Sequence, residues 1–262
     1  VSDLYKQSFT ITDDSLQQEL VGYWPLHEWS GQAGDLSGNE NHGTVNGSNR
    51  GVWGRSSLTS YSFNGSSDHI DMSSSPIQNL DTNWSVSMWF YTKDSSVFGP
   101  MFDLKNSGVQ LVSHDSLKLR WWLEDNTNFN ISQLELDENK WYHAVVTHDE
   151  SSDEFELFVN GTKIGSEEVG GDIRERSDVL TVGAQNNENN LFPGKISEFR
   201  VYDRKISNDE VEKLYNLGTG DYTDSSLHDG SDSGAVSRWR FEDDLNDSWS
   251  SNNGTDSTST GF

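Results

Sequence analysis

Aromatic and cationic side chains in two stretches of the sequence could together bind a sugar. Apolar residues alternate around residue 88, so Trp89 and Tyr91 fall on the face that points away from a core. The same alternation around residue 119 puts Trp122 outward, beside Lys118 and Arg120. Sugar rings stack their C–H faces on exposed aromatic rings, and cations in an acidic chain suit an anionic glycan. We expect glycan binding at these five residues, unless another sheet, loop or subunit covers them.

Metal, phosphate and nucleophilic chemistry find little support in the sequence. The 7 histidines lack the spacing that a metal centre requires. Because cysteine is absent, disulfides and thiolate metal ligands are excluded. No Gly-x-Ser-x-Gly elbow or phosphate-binding loop occurs in the chain. Nucleophilic catalysis would therefore need a triad assembled from distant residues.

The elements that position these side chains are predicted to be mostly strands. Short apolar stretches are separated by Gly, Asn, Asp and Ser, which is typical of an all-β sandwich. Asn160-Gly161 predicts a type I′ hairpin turn. One helix is predicted near residues 207–217, where Ser207 and Glu210 have the spacing of a capping box and Gly218 supplies a stop.

Four segments are predicted along the chain. Residues 1–19 form an arm or short helix, residues 20–217 a β-sandwich, and residues 218–234 an acidic linker rich in Gly, Ser and Asp. Residues 235–262 repeat the opening motifs of the sandwich and then stop, which predicts an incomplete second copy. Its aromatic residues need a partner: the rest of a truncated domain, the first sandwich, or a neighbouring subunit joined by strand addition or self-association.

Several motifs occur in an order that resembles the laminin G-like, concanavalin A-like sandwich domains. They are Val21-Gly22-Tyr23-Trp24-Pro25-Leu26, Asp35-Leu36-Ser37-Gly38-Asn39-Glu40-Asn41-His42-Gly43-Thr44, Asp68-His69-Ile70-Asp71, Trp141-Tyr142-His143-Ala144-Val145-Val146-Thr147 and Gly194-Lys195-Ile196-Ser197-Glu198-Phe199-Arg200-Val201-Tyr202. The resemblance spans about residues 20–217 and implies an all-β jelly roll of two antiparallel sheets, one of them concave. It implies little about the ligand, because lectins, adhesins, enzyme appendages and viral fibres share the fold.

The resemblance also implies a structural calcium ion near the edge of a sheet. Asp35, Asn39 and Asn41 lie in a Gly-rich turn that could supply oxygen ligands, and Asp68 and Glu198 occupy motif positions that lie nearby in the family. The alternative is an ordinary Asx-rich turn that caps its own backbone.

Catalysis by the glucanase mechanism is not expected. Glucanases with this fold carry Glu-x-Asp-x-x-Glu on one strand, which supplies the paired carboxylates of glycoside hydrolysis. The run that begins at Glu135 and Asp137 ends in Lys140, where the last Glu should stand. We therefore expect a protein that is not an enzyme.

The composition predicts a salt-adapted protein of the cell or virion surface. A formal charge of −25 would repel itself, and high salt would screen that repulsion, since the Debye length falls to about 3 Å at 1 M. The same charge disfavours nucleic acid, and no apolar run is long enough to span a membrane. The acidity resembles that of proteins from halophilic archaea or their viruses. Candidate N-glycosylation sites are Asn46, Asn64, Asn83, Asn130, Asn160, Asn246 and Asn253.

These observations predict an extracellular module that binds a glycan or a cell-surface glycoprotein, as part of an adhesin, a surface appendage or a viral attachment fibre. The alternative is an assembly subunit of a filament or virion that uses residues 235–262 as a contact element. A glycoside-active enzyme of saline habitats is a minor alternative.

Overall fold

Fifteen strands, a short 3₁₀ helix and one α-helix make up the regular structure of the described residues. The computed structural model describes residues 14–54, 59–72, 76–77, 80–104, 108–175, 179–185 and 190–219. The strands are β1 (Leu20–Trp24), β2 (Gly43–Asn46), β3 (Asn49–Trp53), β4 (Thr59–Asn64), β5 (His69–Met72), β6 (Trp84–Thr92), β7 (Gly99–Leu104), β8 (Val109–His114), β9 (Ser116–Trp122), β10 (Asn128–Glu135), β11 (Trp141–Asp149), β12 (Glu154–Val159), β13 (Thr162–Glu168), β14 (Leu180–Val182) and β15 (Pro193–Tyr202). The 3₁₀ helix is Asp14–Gln17, and the α-helix, α1, is Asn208–Thr219.

The strands form two antiparallel sheets that pack face to face. Sheet A has the order β13-β12-β11-β6-β15-β4-β3, and β1 also pairs with β15. Sheet B has the order β10-β9-β8-β7-β14-β5-β2. An irregularity between Ser197 and Arg200 divides β15, so that its first half pairs with β4 and its second half with β1. The two-sheet antiparallel sandwich with one helix confirms the predicted fold class.

Large aromatic side chains fill the space between the sheets. Trp24, Trp84 and Trp121 are fully buried, and the Trp121 and Phe155 ring centroids lie 4.9 Å apart. Each such side chain removes about 150–250 Å² of surface from water. This concentration of apolar area in few residues explains how a chain with only 32% hydrophobic residues forms a core.

The α-helix begins as the sequence predicts but ends later. Glu210 N donates to the Ser207 hydroxyl at 3.3 Å, and Ser207 N donates to the Glu210 carboxylate at 2.7 Å, which forms the expected capping box. The predicted stop at Gly218 is wrong, because the helix continues through Thr219. A Cβ at Gly218 would lie 2.3 Å from Nε1 of Trp89, so this glycine lets the helix approach sheet A closely.

Arg204 links the segment around the 3₁₀ helix to α1 through hydrogen bonds. Its guanidinium donates to the Ser15 and Gln18 carbonyls at 2.7 and 2.9 Å and to both carboxylate oxygens of Glu210 at 2.9 and 2.7 Å. Leu16 is buried in the small core beneath α1. The described part of the predicted arm is therefore a docked 3₁₀ turn. The predicted linker beyond Thr219 and the predicted second repeat at 235–262 lie outside the described residues.

Within the described residues, no helix has the length and apolar character needed to cross a lipid bilayer.

Candidate functional site

One row of polar side chains crosses the outward face of sheet B from edge to edge. Strand pairing aligns Thr44, Asp71, Thr181, Asp103, Gln110, Arg120 and Asn130, one residue from each of the seven strands. The central members Thr181, Asp103 and Gln110 are buried, whereas Arg120 is partly exposed and Asn130 is exposed. A ligand can therefore reach this row at its two ends, and the end formed by β9 and β10 carries the cation of the row, Arg120.

Arg120 is the feature that sets this end of the sheet apart. Its guanidinium lies 4.7 Å from the ring centroid of Trp122 and 5.2 Å from that of Phe98. Among the described residues, no carboxylate or carbonyl oxygen accepts a hydrogen bond from it. Partial burial lowers the pKa of Arg120, as expected when a cation loses water without gaining a counter-charge. Arg120 thus presents unused N–H donors on a positively charged group.

A second cation contacts Trp122, and a third lies farther along β9. The Arg174 guanidinium lies 5.4 Å from the Trp122 ring centroid and donates to the Asn126 side chain at 3.2 Å. Lys118 donates to the His114 carbonyl at 3.0 Å. Cation–π contacts of this kind stabilise a desolvated guanidinium by about 2 kcal/mol. In this site Trp122 therefore holds cations in place, rather than offering an open ring for a sugar to stack on.

The other two residues of the predicted glycan face lie on sheet A. Trp89 on β6 is only 4% exposed, because Tyr215 of α1 stacks on it with ring centroids 5.6 Å apart and His143 packs 5.0 Å away. Tyr91 is partly exposed and donates its hydroxyl to Asn139 at 3.0 Å. The prediction of a single outward face with Trp89 exposed is thus wrong, since α1 covers Trp89 and the five residues divide between two sheets.

The first group of predicted calcium ligands caps its own loop. The Asp35 carboxylate accepts from Tyr23 N at 2.8 Å, from Ser37 N at 2.9 Å, from the Ser37 hydroxyl at 2.8 Å and from Asn41 N at 2.9 Å. Asn39 and Asn41 donate their side-chain amides to carbonyls of β1 at 3.1 and 2.7 Å. The loop has the form of the predicted alternative, an Asx-rich turn satisfied by its own backbone.

The remaining predicted ligands are also engaged. Glu198 accepts from the Arg200 guanidinium at 2.6 Å and from the Tyr23 hydroxyl at 2.9 Å. Burial raises the pKa of the Tyr23 hydroxyl, and the Glu198 carboxylate forms an ion pair with the buried Arg200. Asp68 accepts from Asn64 N at 3.1 Å. Each of these carboxylates thus already accepts hydrogen bonds, and the described residues hold no cluster of three or more His, Asp or Glu side chains suited to a metal. Calcium binding stays a prediction.

The segment from Glu135 to Lys140, which departs from the glucanase pattern, lies at the end of β10 and in the turn that follows. Lys140 pairs with Asp137 at 2.6 Å on an exposed part of this turn. The residue that departs from the glucanase pattern thus neutralises one of the carboxylates that such catalysis would use.

The sequons occupy different settings. Asn130 is exposed on the outward face of sheet B, directly opposite Arg120. The Asn46 amide donates to Asp71 at 3.0 Å, and Asn64, Asn83 and Asn160 accept backbone N–H bonds through their side-chain oxygens. Asn246 and Asn253 lie outside the described residues.

Sequence reasoning missed Phe98 and Arg174. Phe98 ends the loop between β6 and β7, and Arg174 follows a short bridge between Leu123 and Ile173. Arg174 N donates to the Trp122 carbonyl at 2.8 Å, which fixes the arginine beside the ring. Both residues stand in irregular segments without periodicity, so the sequence carries no signal that places them at the site.

The sequence of the chain matches a known protein family. The model of the concanavalin A-like lectin/glucanases superfamily matches residues 64–212. The chain belongs to this superfamily. Its sequence is 24% identical to human neuronal pentraxin-2 over 150 residues, which cover 52% of this chain and 34% of the pentraxin. The mouse protein is 23% identical over the same length. The chain thus spans about a third of the length of these relatives.

Solved structures of binding domains have the same fold. The binding domain of Paraclostridial Mosquitocidal Protein 1 matches with a TM-score of 0.62 and 18% identity, over 77% of this chain and 53% of that one. The binding domain of Botulinum neurotoxin DC, in complex with rat synaptotagmin II, matches with a TM-score of 0.60 and 16% identity, over 78% and 52% of the two chains. At these identities the likeness shows the fold alone.

Proposed function

We propose that this chain is a non-catalytic binding module that recognises an acidic group on a cell-surface glycan or glycoprotein through Arg120. The observation that carries the proposal is a partly buried guanidinium, held beside two aromatic rings, with no acceptor among the described residues. In a chain with 43 acidic and 18 basic residues, a cation kept away from every described carboxylate is unusual. A ligand carboxylate or sulfate would supply the missing acceptor.

The chemistry of arginine suits this role. Its planar fork of N–H donors matches a carboxylate or sulfate in a bidentate arrangement, and it stays charged at every physiological pH. Lys118 lies two residues away on the same face, about 7 Å along the strand, where it can contact a second acidic or hydroxyl group of the ligand. Each charge-assisted hydrogen bond contributes about 1.5–3 kcal/mol.

The relatives support a binding role rather than catalysis. The structural neighbours are binding domains. They include those of Paraclostridial Mosquitocidal Protein 1 and of Botulinum neurotoxin DC, the latter in complex with rat synaptotagmin II. A third is the receptor binding domain of a botulinum neurotoxin C/D mosaic serotype. We extend this to an extracellular module of an adhesin, appendage or attachment fibre, whose acidic surface is adapted to high salt.

Isothermal titration calorimetry with an acidic oligosaccharide tests the proposal. The probe is an oligouronate of six residues, with a neutral hexasaccharide as the comparison. Arg120→Met keeps the length of the side chain but removes the charge, and we expect it to weaken oligouronate binding by at least 10-fold. Lys213→Met removes the same charge from α1, which packs on the other sheet, and should bind like the parent. Equal affinities of Arg120→Met and the parent, or no binding by the parent, would overturn the proposal.

A further inference from the structure

Trp29 is the most exposed large apolar side chain of the described residues. It lies in the loop between β1 and β2 and is 61% exposed, and Leu36 in the same loop is 52% exposed. Most tryptophans in folded proteins are largely buried, because the indole ring gains much free energy on leaving water. An indole held in solvent therefore needs an explanation from the residues around it.

The Trp29 ring is supported from beneath by the backbone of β3. Gly51 has a φ of +62°, and a Cβ built there would lie 2.5 Å from Cε3 and 2.8 Å from Cδ2 of Trp29. A side chain at this position would collide with the ring, and glycine adopts this φ without steric cost. The benzene part of the indole thus rests on Gly51, while most of the side chain remains in solvent.

Hydrogen bonds also fix the loop on both sides of Trp29. Glu28 accepts from Gly34 N at 2.8 Å and from the Tyr61 hydroxyl at 2.9 Å. Arg50 donates to the Gly31 carbonyl at 2.6 Å. The loop is therefore held by both β3 and β4 before any ligand arrives. A preorganised contact loses less conformational entropy on binding than a mobile one.

The charges beside Trp29 are balanced, unlike those around Arg120. Tyr61 contacts both Glu28 and Arg50, since its hydroxyl bonds to Glu28 and its ring centroid lies 5.4 Å from the Arg50 guanidinium. Burial and then the Glu28 charge raise the pKa of Tyr61, whereas Arg50 acts in the opposite direction. Apart from the bond to Gly31, the Arg50 guanidinium donates to no acceptor among the described residues. It keeps donors that a hydroxyl-rich ligand could use.

We propose that Trp29 and Arg50 form a second saccharide site, which takes a neutral pyranose ring. The C–H face of the sugar would stack on the exposed indole, and its hydroxyls would accept from the free N–H groups of Arg50. This site does not rest on the role of Arg120, because it is built from the β1–β2 loop and β3 of sheet A, whereas Arg120 lies on β9 of sheet B. The two sites differ in ligand class.

The test is titration of the whole chain with a panel of neutral hexasaccharides, such as gluco-, manno- and galacto-oligosaccharides. Binding of at least one of them is expected. Trp29→Ala should weaken that binding roughly 5- to 10-fold, the value of a lost aromatic contact, and Trp29→Phe should retain part of it. Gly51→Ala should also weaken binding, because the added methyl displaces the ring. Circular dichroism checks that each variant is folded.

Three controls separate this inference from its rivals. Leu36→Ala removes the other exposed apolar side chain of the loop and should leave the affinity unchanged. Arg120→Met should weaken oligouronate binding by at least 10-fold and leave neutral-sugar binding intact, so the two proposals can fail separately. The inference is overturned if no neutral saccharide binds or if Trp29→Ala binds as well as the parent. It is also overturned if sedimentation shows that Trp29 instead joins two copies of the chain.

Discussion

Gly218 offers a direct test of the finding that α1 covers Trp89. Replacing a helical glycine by alanine normally stabilises a protein, by up to about 1 kcal/mol, because alanine is the better helix former. At Gly218 the new methyl would stand 2.3–2.4 Å from atoms of the Trp89 ring. These contacts are far shorter than van der Waals distance, so the ring or the helix must move.

The expected loss follows from the packing around that ring. Trp89 is 4% exposed and lies against both Tyr215 and His143, so it has little room to shift. Overpacking of this kind costs about 1–3 kcal/mol. After the gain in helix propensity, we expect Gly218→Ala to lower the free energy of unfolding by about 1 kcal/mol, which corresponds to a melting temperature about 2–4 °C lower.

Urea denaturation followed by circular dichroism measures this change. Asn216→Ala, in the same turn of α1, is the matched control and should be neutral or slightly stabilising. In a background that carries Trp89→Leu, the Gly218→Ala change should become neutral or stabilising, because the obstructing ring is gone. If Gly218→Ala raises the stability of the parent chain, α1 does not pack on Trp89 in this way.

Three further predictions concern the loop cap, the sequon beside the site and stability in acid. Asp35→Ala removes four hydrogen bonds and should lower the free energy of unfolding by about 1–3 kcal/mol, equally in calcium and in chelator; a loss seen only in calcium would instead reveal a metal site. A glycan on Asn130 should weaken oligouronate binding at Arg120, and Asn130→Gln should prevent this; equal affinities of protein from glycosylating and non-glycosylating hosts would contradict it. Hydrogen bonds, of which that from the Ser151 hydroxyl has the largest effect, lower the pKa of Asp149 to about 2. The ionised Asp149 therefore stabilises the fold above about pH 4, and this stabilisation is lost as the pH falls toward 2. The free energy of unfolding, measured by urea titration, should therefore fall less between about pH 4 and pH 2 in Asp149→Asn than in the parent. If it falls equally in both proteins, Asp149 does not contribute this stability.

Local patterns in the sequence predict the parts of the fold that depend on near neighbours. Alternation along β9 correctly puts Arg120 outward, and the spacing of Ser207 and Glu210 correctly predicts the start of α1. Both signals work because the residues concerned lie within one strand or one helical turn. The order of motifs adds the two-sheet architecture, which no single strand specifies.

The environment of each side chain depends on contacts that local patterns do not encode. Alternation predicts the face on which Trp89 lies, but not that Tyr215 from a distant helix covers that face. Likewise, Arg120 is predicted to be a cation on an outward face, but its contact with Phe98 follows from the path of an irregular loop. The exposure of Trp29 depends on a glycine at residue 51, in another strand. Arg120, Lys118 and Trp122 can thus be named from the sequence, whereas Phe98 and Arg174, and the accessibility of each side chain, follow from tertiary packing.

The central claim is that Arg120 itself contacts an acidic ligand. Nitrogen-15 labelling of arginine gives each guanidinium its own Nε–H resonance in NMR spectra, and Arg120→Met assigns the resonance of Arg120. During titration with the oligouronate, the Arg120 resonance should shift and saturate with the same dissociation constant as calorimetry gives, while the Arg204 resonance stays in place. An Arg120 resonance that does not move while the oligouronate binds would contradict the account.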